Sequence, residues 1–542
     1  MSNILTVVRA VDVPPAQGRS GGKLKARAGA VAIGVGLALL LLKRRSRLPK
    51  RPLPVPVGTR GDTSDTFLGR SIGPLCTDCG TRSGVHALPV GLDVFAARIV
   101  LANLAERSLD VQYYIWSADR SGTLLVDALR AAAERGVQVR MLIDDFDSAL
   151  IEDMLAALAT LPNFQVRIFN LFVVRRGRWL GFLTDFPRLN RRMHNKAFTA
   201  DDQATVIGGR NIGDRYFDAA RGRLFMDLDV LTIGPVVRQA STAFDLYWNS
   251  ASAFPVSSIL AAPRKPRTDA LRQDAQRAIA DPETETYLKA VRDSTFVADL
   301  KARRLAFEWS DVTLLSDDPG KVLGHSAKGR LMSDDLDEAL GDPQRELGLV
   351  SGYFVPTPKS VARLVGLAKR GVAVSIYTNA WDASDVRLVH ATYAKYRKQL
   401  LAGGVRLFEI KGGEAGRESA DEHGGSLGSG SSGGSVLHAK TFTVDRKRVF
   451  IGSFNLDPRS VRLNTEQGLV IESSVLADKM AIALATLGAD LSYEVRLSAG
   501  GGLQWVAKQD GRVVQHDSEP GMTTTQRLLG SVLSRLPIDW MI

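Results

Sequence analysis

Apolar positions along this chain alternate between a spacing of three to four and short unbroken runs, and the order of these patterns occurs twice. In the first half, Asp93 precedes the helix-periodic stretch Val94–Ala105, and Leu109–Trp116 (LDVQYYIW) reads as a strand. Gly122–Arg135 then carries Leu124, Leu125, Ala128, Leu129 and Ala132 on one helical face, with Gly136 placed as its C-terminal stop. Val137–Ile143 is the next strand. The second half repeats this order: Leu347–Val355 is strand-like, Pro358–Arg370 helical, Gly371 the stop and Val372–Tyr377 a strand. Local wording recurs as well, Glu134-Arg135-Gly136-Val137 against Lys369-Arg370-Gly371-Val372. Strand–helix–strand order predicts a buried sheet covered by helices. Its repetition predicts an α/β chain of two pseudo-twofold-related domains, each a mixed β-sheet flanked by helices. The expected divisions are an arm over 1–60, a first domain over 64–260 and a polar helical connector over 261–300. A second domain over 301–495 and an extension over 496–542 follow.

One rare motif is duplicated with the fold. His194-x-Lys196-x4-Asp201 and His438-x-Lys440-x4-Asp445 are each followed by a glycine-led turn ending in Asn, Gly208-Gly209-Arg210-Asn211 and Gly452-Ser453-Phe454-Asn455. The chain has seven histidines, so two in matching contexts are informative. From Tyr114 to His194 is 80 residues and from Phe354 to His438 is 84, so the halves are in near register. Spacing i, i+2 puts each His and Lys on one face of a strand, continued by Phe198 and Phe442. A return strand then brings the Asn beside them, and the active site is expected where the two domains meet.

These groups suit phosphodiester chemistry. One imidazole can attack phosphorus to form a covalent intermediate. A second, protonated, can supply the leaving alkoxide with its proton. The ammoniums of Lys196 and Lys440 and the amides of Asn211 and Asn455 would hold the non-bridging oxygens. A nucleophilic imidazole needs an acceptor on its other nitrogen. By proximity in sequence, Glu466 (in Asn464-Thr465-Glu466) is expected to serve His438, and Asp227 (in Met226-Asp227-Leu228-Asp229) to serve His194, with Asp229 as a fallback. Asp201 and Asp445 read as turn formers, and Gly208, Gly452 and Ser453 as parts of the turns that carry the Asn.

Net charge changes the choice of substrate. The formal charge of +12 looks like a nucleic-acid signal, yet residues 1–60 hold 12 Lys or Arg against the single acid Asp12. That arm is +11 and the remaining 482 residues are +1, so the body lacks the footprint that DNA binding requires. Within the arm, Ala28–Leu42 is an unbroken apolar run flanked by basic residues. Its helix would span about 22 Å at ~1.5 Å per residue, which fits a short membrane anchor with snorkelling ends. Leu48–Pro56 reads as a stiff proline-rich linker. Cys76-x-x-Cys79 lacks two further zinc ligands and reads as a local disulfide or two plain thiols. The Gly/Ser-rich stretch Gly412–Ser435 is a surface loop or a lid beside His438. Leu528, Leu529, Val532, Leu533 and Leu536 form a stripe expected to dock on the body. His86, His325, His390, His423 and His516 have no partner pattern and are expected on the surface or in loops.

The intact double H-x-K-x4-D-x6-G-[SG]-x-N signature resembles that of the phospholipase D superfamily. Gly208–Asp214, His438–Thr441, Asn455–Ser460, Leu109–Trp116 and the closing Leu536-Pro537-Ile538 resemble the bacterial cardiolipin synthases, most closely the C type. The resemblance covers about residues 64–542 and departs at Gly209-Arg210, where Gly209 forgoes a hydroxyl donor. It implies phosphatidyl transfer through a phosphohistidine without metal or other cofactor, with His194 as nucleophile and His438 as acid. The implied acceptor is phosphatidylglycerol and the donor phosphatidylglycerol or phosphatidylethanolamine, giving cardiolipin at a bacterial inner membrane. The same intermediate could instead meet water, as in a phospholipase D, and a superfamily nuclease ranks third.

Overall fold

Both predicted strand–helix–strand units form where the apolar pattern placed them. In the first, the helix Arg120–Glu134 is capped by Asp119, whose side chain accepts from the Gly122 amide. In the second, Thr357 caps the helix Pro358–Lys369 in the same way through Ser360. Gly136 and Gly371 end these helices at φ 100° and 92°, a conformation that a Cβ would penalise. The structure is a computed structural model that describes residues 48–49, 61–77, 79–220, 224–260, 268–325, 329–384, 386–412, 435–509, 511–523 and 525–526. The expected anchor Ala28–Leu42, nearly all of the proline-rich linker, residues 413–434 of the Gly/Ser stretch, His423 and the C-terminal stripe lie outside the described residues.

In the first half the strands are β1 Ser83–Leu88, β2 Ser108–Tyr113, β3 Gln138–Asp144, β4 Phe164–Phe169, β5 Ala197–Ala200, β6 Ala204–Gly208, β7 Leu224–Met226, β8 Asp229–Ile233 and β9 Ala253–Pro255. In the second half β10 Glu308–Ser316, β11 Glu346–Ser351, β12 Ala373–Asn379, β13 Arg406–Ile410, β14 Ser435–Leu437 and β15 Lys440–Val444 come first. They are followed by β16 Arg448–Gly452, β17 Gln467–Glu472, β18 Ser492–Leu497, β19 Leu503–Gln509 and β20 Arg512–His516. All but β7 and β14 belong to one 18-stranded sheet. From its middle, one half runs β1-β8-β6-β5-β2-β3-β4-β9 and the other β10-β17-β16-β15-β11-β12-β13-β18, extended by β19 and β20. The halves join where β1 pairs antiparallel with β10, Gly84 opposite Trp309. The order is the same on both sides of that seam, as a pseudo-twofold requires.

Side-chain alternation makes this arrangement cohere. Phe198 and Val206 face the core of the first half, while their neighbours Ala197 and Ile207 face a layer shared by both halves. Phe450 likewise faces the second core, and Val449 and Ile451 the shared layer. Both hairpins are therefore apolar on both faces, and burying the shared layer holds the halves in register.

Two expected divisions shift. The connector helices Thr268–Ile279, Pro282–Arg292 and Thr295–Lys301 place Leu271, Tyr287, Val291 and Phe296 in the first core, so they form part of that domain. The presumed extension continues the second sheet, with Trp505 and Ala507 of β19 in its core. Cys76 and Cys79 are free thiols. Among the described residues, no helix is long and apolar enough to cross a membrane.

The first half has a buried charge pair at a position where the second half has a glycine. Arg98 donates to Asp229 at 2.7 Å and to the Tyr113 hydroxyl at 2.7 Å, with both ions fully buried. Asp229 is the first residue of β8; in the matching alignment of hairpin and return strand, Gly468 stands opposite Gly452 as Asp229 stands opposite Gly208. Replacing Asp229 by Ala should cost about 3–5 kcal/mol, because it strands a buried guanidinium. Urea unfolding of D229A should therefore show a clearly lower midpoint, with partial recovery in R98L/D229A. An unchanged midpoint would contradict this account.

Candidate active site

Each motif hairpin turns through two consecutive left-handed residues, Asp201 and Asp202 at φ 50° and 54°, and Asp445 and Arg446 at 53° each. Asp tolerates this region better than most residues, and such turns match the twist of the strands. The Asp201 carboxylate also accepts from the amides of Glu106, Arg107 and Ser108 at 2.8–2.9 Å. Asp445 does the same for Gln344, Arg345 and Glu346 at 2.7–3.1 Å. The third motif residue therefore fastens the hairpin turn to the entry of the neighbouring strand, β2 or β11. It sits at the opposite end of the hairpin from the histidine.

The histidines lie just before the hairpins: β5 opens at Ala197 and β15 at Lys440. The segments that lead into them cross to the other half. The His194 amide donates to the Thr465 carbonyl at 2.9 Å, and the Thr465 amide to the Arg192 carbonyl at 2.9 Å. On the other side of the pseudo-twofold, β14 pairs parallel with β7, and the His438 amide donates to the Met226 carbonyl at 2.8 Å. Glu466 follows Thr465, and Asp227 follows Met226. These backbone bonds carry each carboxylate to the opposite histidine.

The acid partners are consequently crossed, which corrects the expectation from sequence proximity. His194 Nδ1 lies 2.8 Å from Glu466 Oε2 and 3.1 Å from the Ser453 carbonyl. His438 Nδ1 lies 2.5 Å from Asp227 Oδ2. Asp229, the fallback partner, is occupied by Arg98. At His194 both neighbours are acceptors, so Nδ1 carries the proton and Nε2 presents its lone pair. Lys196 and Lys440 are buried, and each ammonium donates to the carbonyl of the histidine two residues before it.

Electrostatics tie these groups into one site. Burial lowers the His194 imidazole to about 4, against the opposing pull of Glu466 and with the aid of Lys196 and Lys440. His438 is lowered by burial and then by Lys440, with Asp227 opposing. Burial also pushes the Lys196 ammonium well below its ordinary value. It would raise both carboxyls, but His438, Lys440 and Arg210 hold Asp227 below the usual range. His194, Lys196 and the Ser453 hydroxyl do so for Glu466. Charges from both halves thus act on each group.

The glycine turns complete the site, and their sequence difference has a steric cause. A Cβ at Gly208 would lie 2.1 Å from Asp229 Oδ1, and one at Gly209 would lie 2.2 Å from Asp227 Oδ1. A Cβ at Gly452 would meet the Gln467 carbonyl at 2.4 Å. The Asp227 carboxylate, held by His438, fills the space that a Cβ would need, so only Gly fits at 209. Ser453 fits beside the longer Glu466, to which its hydroxyl donates at 2.5 Å. The Asn211 amide is held by the Ile115 amide and the Tyr216 hydroxyl. Asn455 Oδ1 is buried with no hydrogen-bond partner among the described residues.

Sequence reasoning missed several residues that shape the site. Tyr114 meets His194 edge-on with centroids 5.1 Å apart, while Tyr216 and Phe225 flank His438 at 5.5 and 5.0 Å. Ser460 donates to Glu466 at 2.8 Å, and Asp317 accepts from the Glu466 amide at 3.0 Å. Asp144 and Asn379 end the matching strands β3 and β12. Asp144 accepts from the Met193 amide at 2.8 Å, and Asn379 binds both the amide and the carbonyl of Leu437, so each anchors the residue before a histidine. A polar residue ending the second strand of each unit was the available signal.

Among the described residues, His390, Glu409 and Glu519 are the one group spaced to ligate a metal ion. Arg397 occupies that space, donating to Glu409 at 2.7 Å and to Glu519 at 2.6 and 2.9 Å. His390 is thus buried in an ionic cluster rather than at the surface as expected. His325 is exposed, and His86 and His516 are half-buried on strands.

Gly209→Ser should clash with Asp227 and displace it from His438, so turnover should fall at least as far as in Asp227→Ala. Wild-type turnover in G209S would contradict the steric reading. Anion binding gives a second test. Burial favours the neutral form of both imidazoles in the empty site, and an incoming phosphodiester monoanion favours protonation of His438. Binding should therefore take up a proton and weaken as pH rises from about 4, the empty-site value, to the value in the complex. Titration calorimetry of a short soluble phosphodiester in buffers of different ionisation heat would reveal this, and identical heats in all buffers would refute it.

Comparisons with known proteins agree with this geometry. The family described as "Cardiolipin synthase, PLD-like domain" matches residues 99–248 and 336–486, one copy for each half. Cardiolipin synthase C of Escherichia coli (strain K12) is 42% identical over 475 residues, covering 88% of this chain and 99% of that protein. Cardiolipin synthase A of Edwardsiella ictaluri (strain 93-146) is 23% identical over 458 residues, covering 80% of this chain and 76% of that protein. The crystal structure of phosphatidylserine synthase from Haemophilus influenzae Rd KW20 superposes with a TM-score of 0.53 at 15% identity, over 88% of this chain and all of that one, a likeness of fold. Duplicated motif, shared seam and sequence identity agree: the chain belongs to the cardiolipin synthase, phospholipase D-like family.

Proposed function

We propose that this chain is a phosphatidyltransferase that forms cardiolipin by moving a phosphatidyl group onto phosphatidylglycerol through a covalent phosphohistidine. The observation that carries this reading is the pair of imidazoles at the domain seam, each with Nδ1 fixed by a carboxylate of the opposite half. Kinship with cardiolipin synthase C supports the choice of substrate.

His194 Nε2 attacks phosphorus, and the bond to the headgroup oxygen breaks. His438, protonated once the anionic lipid is bound, gives its Nε2 proton to that oxygen. The released headgroup is glycerol from phosphatidylglycerol or ethanolamine from phosphatidylethanolamine. His438 then takes the proton of a glycerol hydroxyl of the acceptor phosphatidylglycerol. The new alkoxide attacks phosphorus, the phosphorus–nitrogen bond breaks, and His194 is regenerated. Lys196 and Lys440 balance the charge that gathers on the non-bridging oxygens, together with the Asn211 and Asn455 amides.

The resemblance to the phospholipase D superfamily supports assigning His194 as nucleophile and His438 as acid. Glu466 receives hydroxyl donors from Ser453 and Ser460 besides His194. Asp227 receives His438 and the Leu228 amide. Phospholipid substrates support a location at the bacterial inner membrane, peripheral or through the apolar run Ala28–Leu42.

His194→Ala should lose at least about 10⁴-fold in turnover. His438→Ala should accumulate a phosphatidyl adduct on His194, detectable by mass spectrometry of the intact protein; an adduct on any other residue would overturn the role assignment. Purified enzyme with phosphatidylglycerol vesicles, with and without phosphatidylethanolamine and a chelator, should yield cardiolipin in every case. Phosphatidic acid as sole product would make the enzyme a hydrolase, and loss of activity with chelator would refute a mechanism without metal.

A further inference from the structure

The first half exposes a group of large apolar side chains that borders the site. Leu150, Trp179 and Leu183 are 86%, 66% and 61% exposed, and Phe146 is 48% exposed. They hang on one ionic knot. Arg178 donates to the Asp145 carbonyl at 2.6 Å, to Ser148 Oγ at 3.2 Å and to Glu152 at 2.5 Å, and Arg175 binds Asp145 and Glu152 as well. Phe146 follows Asp145, Leu150 lies on the short turn between Ser148 and Glu152, and Trp179 follows Arg178. Leu183 is four residues beyond Trp179, where the next helix begins at Phe182. Charged groups thus hold the backbone rigid while apolar side chains point to solvent, an arrangement that costs hydration and needs a partner.

The patch is continuous with the reacting centre. Phe146 stacks on Tyr114 with centroids 5.9 Å apart, and Tyr114 meets His194 at 5.1 Å. The helix Phe182–Leu189 also leads directly into the segment that carries His194. We infer that Phe146, Leu150, Trp179 and Leu183 form a docking surface that sinks into the outer layer of a lipid bilayer and brings the phosphodiester plane to His194. The inference rests on the lipid substrate proposed above. A bilayer fits better than a protein partner because the patch reaches His194 through Phe146 and Tyr114, and the proposed substrate is a membrane lipid. Trp and Leu beside Arg is the composition that favours the membrane–water interface. Arg176, exposed on the same loop, adds attraction to anionic headgroups.

The test compares two forms of one substrate with the full chain. Phosphatidylglycerol is offered as vesicles mixed with phosphatidylethanolamine, or as a short-chain form dispersed below its micellar concentration. L150D/L183D should lose at least about tenfold in turnover on vesicles and keep wild-type turnover on dispersed lipid. Equal loss on both forms, or loss on neither, would overturn the inference. So would the same selective loss in I482D/V513D, which alters exposed apolar residues elsewhere on the surface. An independent reading uses vesicles with brominated acyl chains and inactive His194→Ala protein. Part of its tryptophan fluorescence should be quenched, and that part should vanish when Trp179→Phe is added; no Trp179-dependent quenching would refute the contact. Absence of product from wild-type enzyme with either form would instead reject the proposed function, while the quenching result would still decide the surface.

Discussion

Everything at the active site depends on a reciprocal backbone exchange between the two halves. The segment entering His194 bonds to the segment before Glu466, and the strand entering His438 bonds to the segment before Asp227. A carboxylate must lie close to each Nδ1 to fix tautomer and charge, and neither half can satisfy that requirement alone. Shifting one half relative to the other would break both imidazole–carboxylate contacts together. The shared apolar layer of Ile207, Val230, Ile451 and Leu469 therefore has a chemical consequence beyond stability.

Duplication made the site, but the copies have diverged in ways that packing explains. Gly209 belongs with Asp227, whose carboxylate a Cβ there would strike, and Ser453 with Glu466, to which its hydroxyl donates. The hydroxyls around Glu466 have no counterpart at Asp227, where His438 and the Leu228 amide are the donors. Behind the first turn stands a buried Arg98–Asp229 pair, and beneath Glu466 a buried Lys321–Asp317 pair. Each half thus surrounds its own carboxylate with different neighbours. A chain that carries both copies can give the two histidines different surroundings, which identical halves could not.

Much of the fold was legible from local pattern. The helices ending at Gly136 and Gly371, and the strands beside them, follow from 3.6-residue periodicity, capping residues and left-handed glycine, all set within a few residues. The turn role of Asp201 and Asp445 was legible for the same reason, since Asp tolerates positive φ. The connector was misread because its charged outer face hides Leu271, Tyr287 and Phe296, whose burial depends on a helix far away in sequence. His390 appeared unpartnered because Arg397 and Glu519 reach it through the fold.

By itself the sequence determined the candidate groups, the paired hairpins that follow them and the family, since each is written in short spacings that local geometry enforces. Only the tertiary structure decided which acid serves which histidine. His194 and Glu466 are 272 residues apart and His438 and Asp227 are 211 apart, and no local propensity spans such distances. Backbone pairing across the pseudo-twofold makes that choice, because the amides and carbonyls before each histidine find their partners in the opposite half.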